Sequence, residues 1–198
     1  MASGTPPAID RFVRKAIEEG RFGEIVAGMV FAVPEGYLLT AVRAFDLGMD
    51  EAASLVCRGS MEGAMYTFLY VEPAIGSQDI TLMRLAGPGE KVTYERLYNK
   101  VAGVKVGGTK FLSPSEREAL VRIGEHGNTI AHIIDRFTRH LLSKLDPSRE
   151  PADFPFPERA DVEKDIHEAG PILDKFRRRV AERIQAQVAE SVRDLPPA

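Results

Sequence analysis

The stretch MDEAASLVCRGSMEGAMYTFLYVEP, Met49 to Pro73, decides the fold. Leu55, Val56, Cys57, Met61, Ala64, Met65, Phe68 and Leu69 cover nearly the whole circumference of a helix. A helix that is apolar all round is a central one. Asp50 suits its N-cap and Pro73 its end. Gly59 and Gly63, four residues apart, let a neighbouring helix come close. Two charges interrupt this surface, Arg58 and Glu62, one turn apart. Burying either alone costs several kcal/mol. The spacing therefore predicts a mutual ion pair that also grips a neighbouring helix end or loop. A functional role for the pair is the rival reading.

The flanking segments are helical too. AIDRFVRKAIEEG puts Ile9, Phe12, Val13, Ala16 and Ile17 on one face, with Gly20 as a stop. GEIVAGMVFAV is short and apolar, open to helix or strand, and Pro34 then opens a helix ending at Gly48. TYERLYNKVAGV is a short amphipathic helix, and KVGGTKFL reads as a loop. In SPSEREAL, Ser113 is an N-cap, Pro114 takes the first helical position and Glu116 completes a capping box. That helix is expected to reach about Leu145, with a kink at Gly124–Gly127. A proline-rich linker follows over 147–160. In 161–198, apolar residues recur about every fourth position, with a kink or restart at Pro171. The expected architecture is all-α: a tail at 1–7, an up-and-down helical bundle over 8–146, and a long amphipathic C-terminal helix packing on the bundle or on a second protomer.

Composition narrows the function classes. Hydrophobic residues make up 44 % and charged residues 28 %, with a formal net charge of -3. That balance argues against a general, strongly basic nucleic-acid binder. The single cysteine, Cys57, excludes an internal disulfide and a cysteine metal cluster, and suits a reducing compartment. The N-terminal residues lack the basic-then-apolar pattern of a signal peptide. No uninterrupted run of about 18 apolar residues occurs, so no membrane span is expected. The expectation is a cytoplasmic protein.

Most chemical motifs fail on spacing. In GVKVGGTK, Thr109 separates Gly108 from Lys110, so the phosphate-loop order is broken. His126, His132 and His140 lie six and eight apart, whereas helical ligands of one ion sit three or four apart. No metal and no cofactor are expected. There is no GxSxG turn, and Cys57 lies in the most apolar helix, where a thiol is ordinarily inert packing.

VRIGEHGNTIAHIIDRFTRHLL, Val121 to Leu142, is different. On a regular helix Asn128, His132, Asp135, Arg136, Arg139 and Ser143 share a polar face. Histidine beside arginines can move a proton and hold a phosphate, as RNA chemistry requires. The plainer reading is the wet face of an amphipathic helix, with Asp135–Arg139 an ordinary i,i+4 pair. Lys175, Arg177, Arg178, Arg179 and Arg183 form a further basic neighbourhood, read as a solvated face, an RNA contact or a partner-binding helix.

These residues carry a resemblance. EAASLVCRGSMEGAMY, with Ala52, Ala53, Arg58 and Glu62, resembles the first core helix of the HEPN superfamily of nucleotide-binding helical bundles. GNTIAH supplies Gly127, Asn128, Ala131 and His132 in the places of that family's later helix. The likeness spans roughly residues 36–145. It implies an up-and-down bundle, commonly a homodimer, with an RNA or protein partner. In the family's ribonucleases an Arg, four to six residues and a His cut RNA without metal. The matching positions before His132 are Glu125, His126 and Gly127, none of them arginine, and Arg122 is too far back. The resemblance therefore implies a dimeric interaction or nucleic-acid-associated module without demonstrated catalysis. The alternatives are a ribonuclease using His132 with Arg136 or Arg139, and a scaffold without a ligand. Arg58, Glu62 and Asn128 are candidates either for substrate binding or for a polar clamp between the two principal helices.

Overall fold

The computed structural model describes residues 7–74, 92–132 and 156–193. The chain runs through α1 (Pro7–Glu18), α2 (Phe22–Asp46), α3 (Asp50–Ala74), α4 (Tyr94–Gly103), strands β1 (Lys105–Val106) and β2 (Thr109–Lys110), α5 (Pro114–Ala131) and α6 (Arg159–Arg193). It is an all-α bundle with one very small hairpin.

Glycine sets the turns. Gly20 and Gly48 have φ of +69° and +74°. Around Gly48, the Met49 N–H donates to the Ala44 carbonyl and the Gly48 N–H to that of Phe45, which closes the end of α2. The same pattern closes α1 at Gly20. These tight turns fold α3 back antiparallel along α2. At the hairpin, Gly107 and Gly108 both have positive φ, as a two-residue turn requires. The segment expected to be a loop thus carries a short antiparallel pair. α5 begins as its sequence dictates, with a full capping box between Ser113 and Glu116.

Pro34 does not start a helix; it lies inside α2. A proline removes one backbone bond and crowds the preceding turn. Here packing offsets that cost. Pro34 is buried against Gly63, and the Ser60 hydroxyl donates to its carbonyl at 2.7 Å. Pro171 likewise lies within a continuous α6. α5 departs from expectation at its other end. It stops at Ala131, and His132, with φ −108° and ψ 26°, is its C-cap.

α3 is the central element, packed against α2, α4, α5 and α6. Met61, Met65 and Phe68 of α3 meet Phe31 of α2, Leu97 of α4, Leu120 and Ile123 of α5, and Phe176 of α6 in one core. Phe68, Phe111 and Phe176 stack at 4.9–5.9 Å between centroids. α3 is not buried all round: Leu55, Tyr66 and Tyr70 are exposed. α6 is part of the same core, through Ala169, Ile172, Phe176 and Val180.

α2 holds a surprise. Its composition is apolar enough to cross a membrane, with mean hydropathy 1.7 over 18 residues. Glu35 interrupts the run, which is why counting consecutive apolar residues overlooks it. That glutamate is directed at Arg177 of α6, 3.4 Å away.

Candidate functional site

The family-like residues converge where α3, α4 and α5 meet. Arg58 and Glu62 form their ion pair at 3.0 Å, both part-buried. The aliphatic stem of Arg58 fills the space over Gly127, where an added Cβ would lie 2.4 Å from the Arg58 Cδ. Its guanidinium sits 5.3 Å from the centroid of the Tyr94 ring. Tyr94 is buried and covers Gly124 just as closely, 2.5 Å from a built Cβ. Its hydroxyl donates to the Leu120 carbonyl at 2.7 Å. Burial raises the Tyr94 pKa well above the usual phenol range, so the group stays a neutral donor. Both glycines are thus demanded by close approach: one by a tyrosine ring, the other by an arginine stem.

A second polar cluster, absent from the sequence-based expectations, lies between α5 and α6. Asp165 is only 1 % exposed. It accepts from Arg122 Nε at 2.8 Å and lies 2.6 Å from His126 Nδ1. Arg122 also donates to Glu168 at 2.5 Å. Arg122 and His126 are one turn apart on α5 and Asp165 and Glu168 nearly so on α6, so four charged groups close on one another. The bond to Asp165 is the main influence that raises the His126 pKa, against the opposing effect of burial. Lys175 extends the same seam by pairing with Glu116, the carboxylate of the capping box. The signal for this cluster was a charge inside an apolar row. Val162, Ala169, Ile172 and Phe176 are buried at helical spacing, and Asp165 occupies the gap.

The other expected site residues separate. Asn128 is part-buried and borders a cavity of about 320 Å³ between α4 and α5. Glu95 and Glu125 stand on its rim, with Tyr98 and Asn99 beside them. His132 is exposed at the end of α5. It and His126 point to different places, one to solvent and one to α6. Arg136 and Arg139 lie outside the described residues, as do Asp135, His140 and Ser143.

Of the basic stretch in α6, Lys175 pairs with Glu116, Arg177 with Asp174 and Glu35, and Arg178 with Asp174. Cys57 is buried, and burial pushes its thiol up to about 12, far from a reactive thiolate. Among the described residues no group of three or more His, Cys, Asp or Glu is placed to hold a metal ion. Compared with family models, curated proteins and solved structures, the chain matches none.

Proposed function

We propose that this chain is a cytoplasmic, HEPN-like helical module that works by protein interaction rather than by catalysis. The observation that carries the reading is the outer face of α2. Met29, Val33 and Leu39 are 73 %, 65 % and 61 % exposed on a helix whose opposite side is core. A contiguous apolar surface of this kind is a binding surface in a soluble protein. Arg122 and His126 of α5 and Arg58 of α3, by contrast, are occupied. Arg122 and His126 hold Asp165, and Arg58 fills the Gly127 notch. The cavity beside Asn128 is rimmed by carboxylates, which repel a phosphate backbone.

A photo-crosslinking residue placed at position 33 tests this in cells, with position 118 on the exposed surface of α5 as control. Protein adducts are expected at 33 and not at 118. Absence of any protein adduct at 33 would sink the interaction reading.

Exposure of His132 favours one second reading, a metal-independent ribonuclease using it with Arg136 or Arg139. Incubation with RNA in EDTA separates the two. The interaction reading expects no cleavage. Cleavage that disappears in His132→Ala would establish the enzyme.

A further inference from the structure

The cavity between α4 and α5 does not stand alone. A second recess, of about 390 Å³, continues it towards the start of α5 and shares Tyr98, Val121 and Glu125 with it. Together they form one groove along the two helices. On the α5 wall, Glu118, Val121, Glu125 and Asn128 follow one another at spacings that keep them on a single helical face. On the α4 wall, Glu95, Tyr98 and Asn99 share a face in the same way.

The groove combines open negative charge with an aromatic floor. Glu95, Glu118 and Glu125 are exposed at its rim, and no described side chain pairs with them. The arginines nearby are engaged elsewhere. Arg122 is held by Asp165 and Glu168, Arg117 Nε donates back to the Ser113 carbonyl at 3.4 Å, and Arg58 is paired with Glu62. The floor is the buried Tyr94 ring and the part-buried Tyr98 ring, with Val121 between the carboxylates of α5. A bare metal ion gains nothing from such a floor, since it needs converging oxygen ligands. A cation with a hydrocarbon body uses both parts: methylenes lie on the rings and Val121, and the charged ends reach the rim.

We propose that this groove binds a linear polyamine, a chain of ammonium groups joined by short methylene runs. The spacing of the carboxylates selects a long amine over a compact one. Glu118 and Glu125 are two turns apart, about 10.5 Å along α5. Glu95 joins Glu125 from the opposite wall of the cavity. A single ammonium meets only one end of this arrangement. A polyamine places one ammonium at Glu118 and another between Glu125 and Glu95, with its methylenes over Val121 and the Tyr98 ring. The side-chain carbonyls of Asn99 and Asn128 accept the remaining N–H bonds of that second ammonium. The lining residues belong to α4 and α5, so the site is separate from the apolar surface of α2.

Isothermal titration calorimetry of the full chain with spermidine tests this, in about 0.15 M salt so that diffuse attraction is screened. Saturable binding of one spermidine per chain is expected. Glu125→Gln is expected to weaken it by about tenfold, with unchanged circular dichroism. Glu163→Gln, at an exposed carboxylate of α6 outside the groove, is expected to leave it unchanged. Butylamine is expected to bind at least about tenfold more weakly than spermidine. Absence of saturable binding would overturn the site. Undiminished binding in Glu125→Gln, or an equal loss in Glu163→Gln, would do the same by placing the attraction elsewhere or in the overall charge. Equal affinity for butylamine would overturn the linear polyamine, and displacement of spermidine by magnesium at matched ionic strength would overturn an organic cation as the ligand.

Discussion

The two sides of this bundle solve opposite problems. Along the α5–α6 seam, polar side chains gather around the buried Asp165 and each finds a partner: Arg122 and His126 on Asp165, Glu168 on Arg122, Lys175 on Glu116. On the outer face of α2, apolar side chains are exposed and find none within the described chain. Inside, charge is used to fix which helices meet. Outside, its absence leaves an apolar surface open to solvent. The residues with chemical character are therefore the structural ones, and the bland ones are where function is to be sought.

The comparison breaks most visibly at Asp165. Replacing it with alanine leaves Arg122 and His126 facing each other across a partly buried gap. Chemical denaturation is expected to show a loss of about 3 kcal/mol. A loss below about 0.5 kcal/mol, the range of surface substitutions, would mean that the seam is decorative.

Gly124→Ala comes next. Its methyl meets the Tyr94 ring, which is held by its bond to Leu120 and cannot swing freely. Overpacking of this kind costs about 1–3 kcal/mol, readable as a lower thermal midpoint. An unchanged midpoint would show that Tyr94 relocates without penalty.

The His126–Asp165 contact gives a smaller, pH-dependent effect. The folded-state pKa of His126 is raised. Its stabilisation is therefore fully present below the unfolded value, about 6.5, and is lost as pH rises through the higher folded value. The thermal midpoint is expected to fall across this window, and His126→Gln to flatten the fall. A midpoint that rises through neutrality in the wild type and not in the variant would reverse the assignment.

Gly36→Ala is the mildest change. At an open helical position it is expected to stabilise the chain by about 0.5–1 kcal/mol, read by chemical denaturation. A loss of stability would show that this face has no room for a side chain at position 36.

The sequence made some of this legible. The glycine stops at Gly20 and Gly48 and the Ser113–Glu116 capping box are local signals, decided by neighbouring residues, and they stand in the structure. The Arg58–Glu62 pair follows from helical spacing alone. Pro34 and Pro171 misled because tertiary packing carries a helix through a residue that local preference forbids. The Asp165 cluster stayed hidden for a related reason. A carboxylate in an apolar row signals a buried partner, but only the fold brings α5 beside α6. Of the polar face through Asn128, His132, Arg136 and Arg139, only Asn128 and His132 lie among the described residues.

A double-mutant cycle tests the central claim most directly, that the histidine, arginine and carboxylate of this seam hold helices together. Unfolding free energies of wild type, His126→Gln, Asp165→Asn and the double variant would be measured at about pH 6, below the unfolded histidine pKa. A structural contact predicts a coupling of about 1 kcal/mol or more between the two positions. Additive effects, with each single variant as stable as the wild type, would contradict it and return His126 to the list of groups free for chemistry.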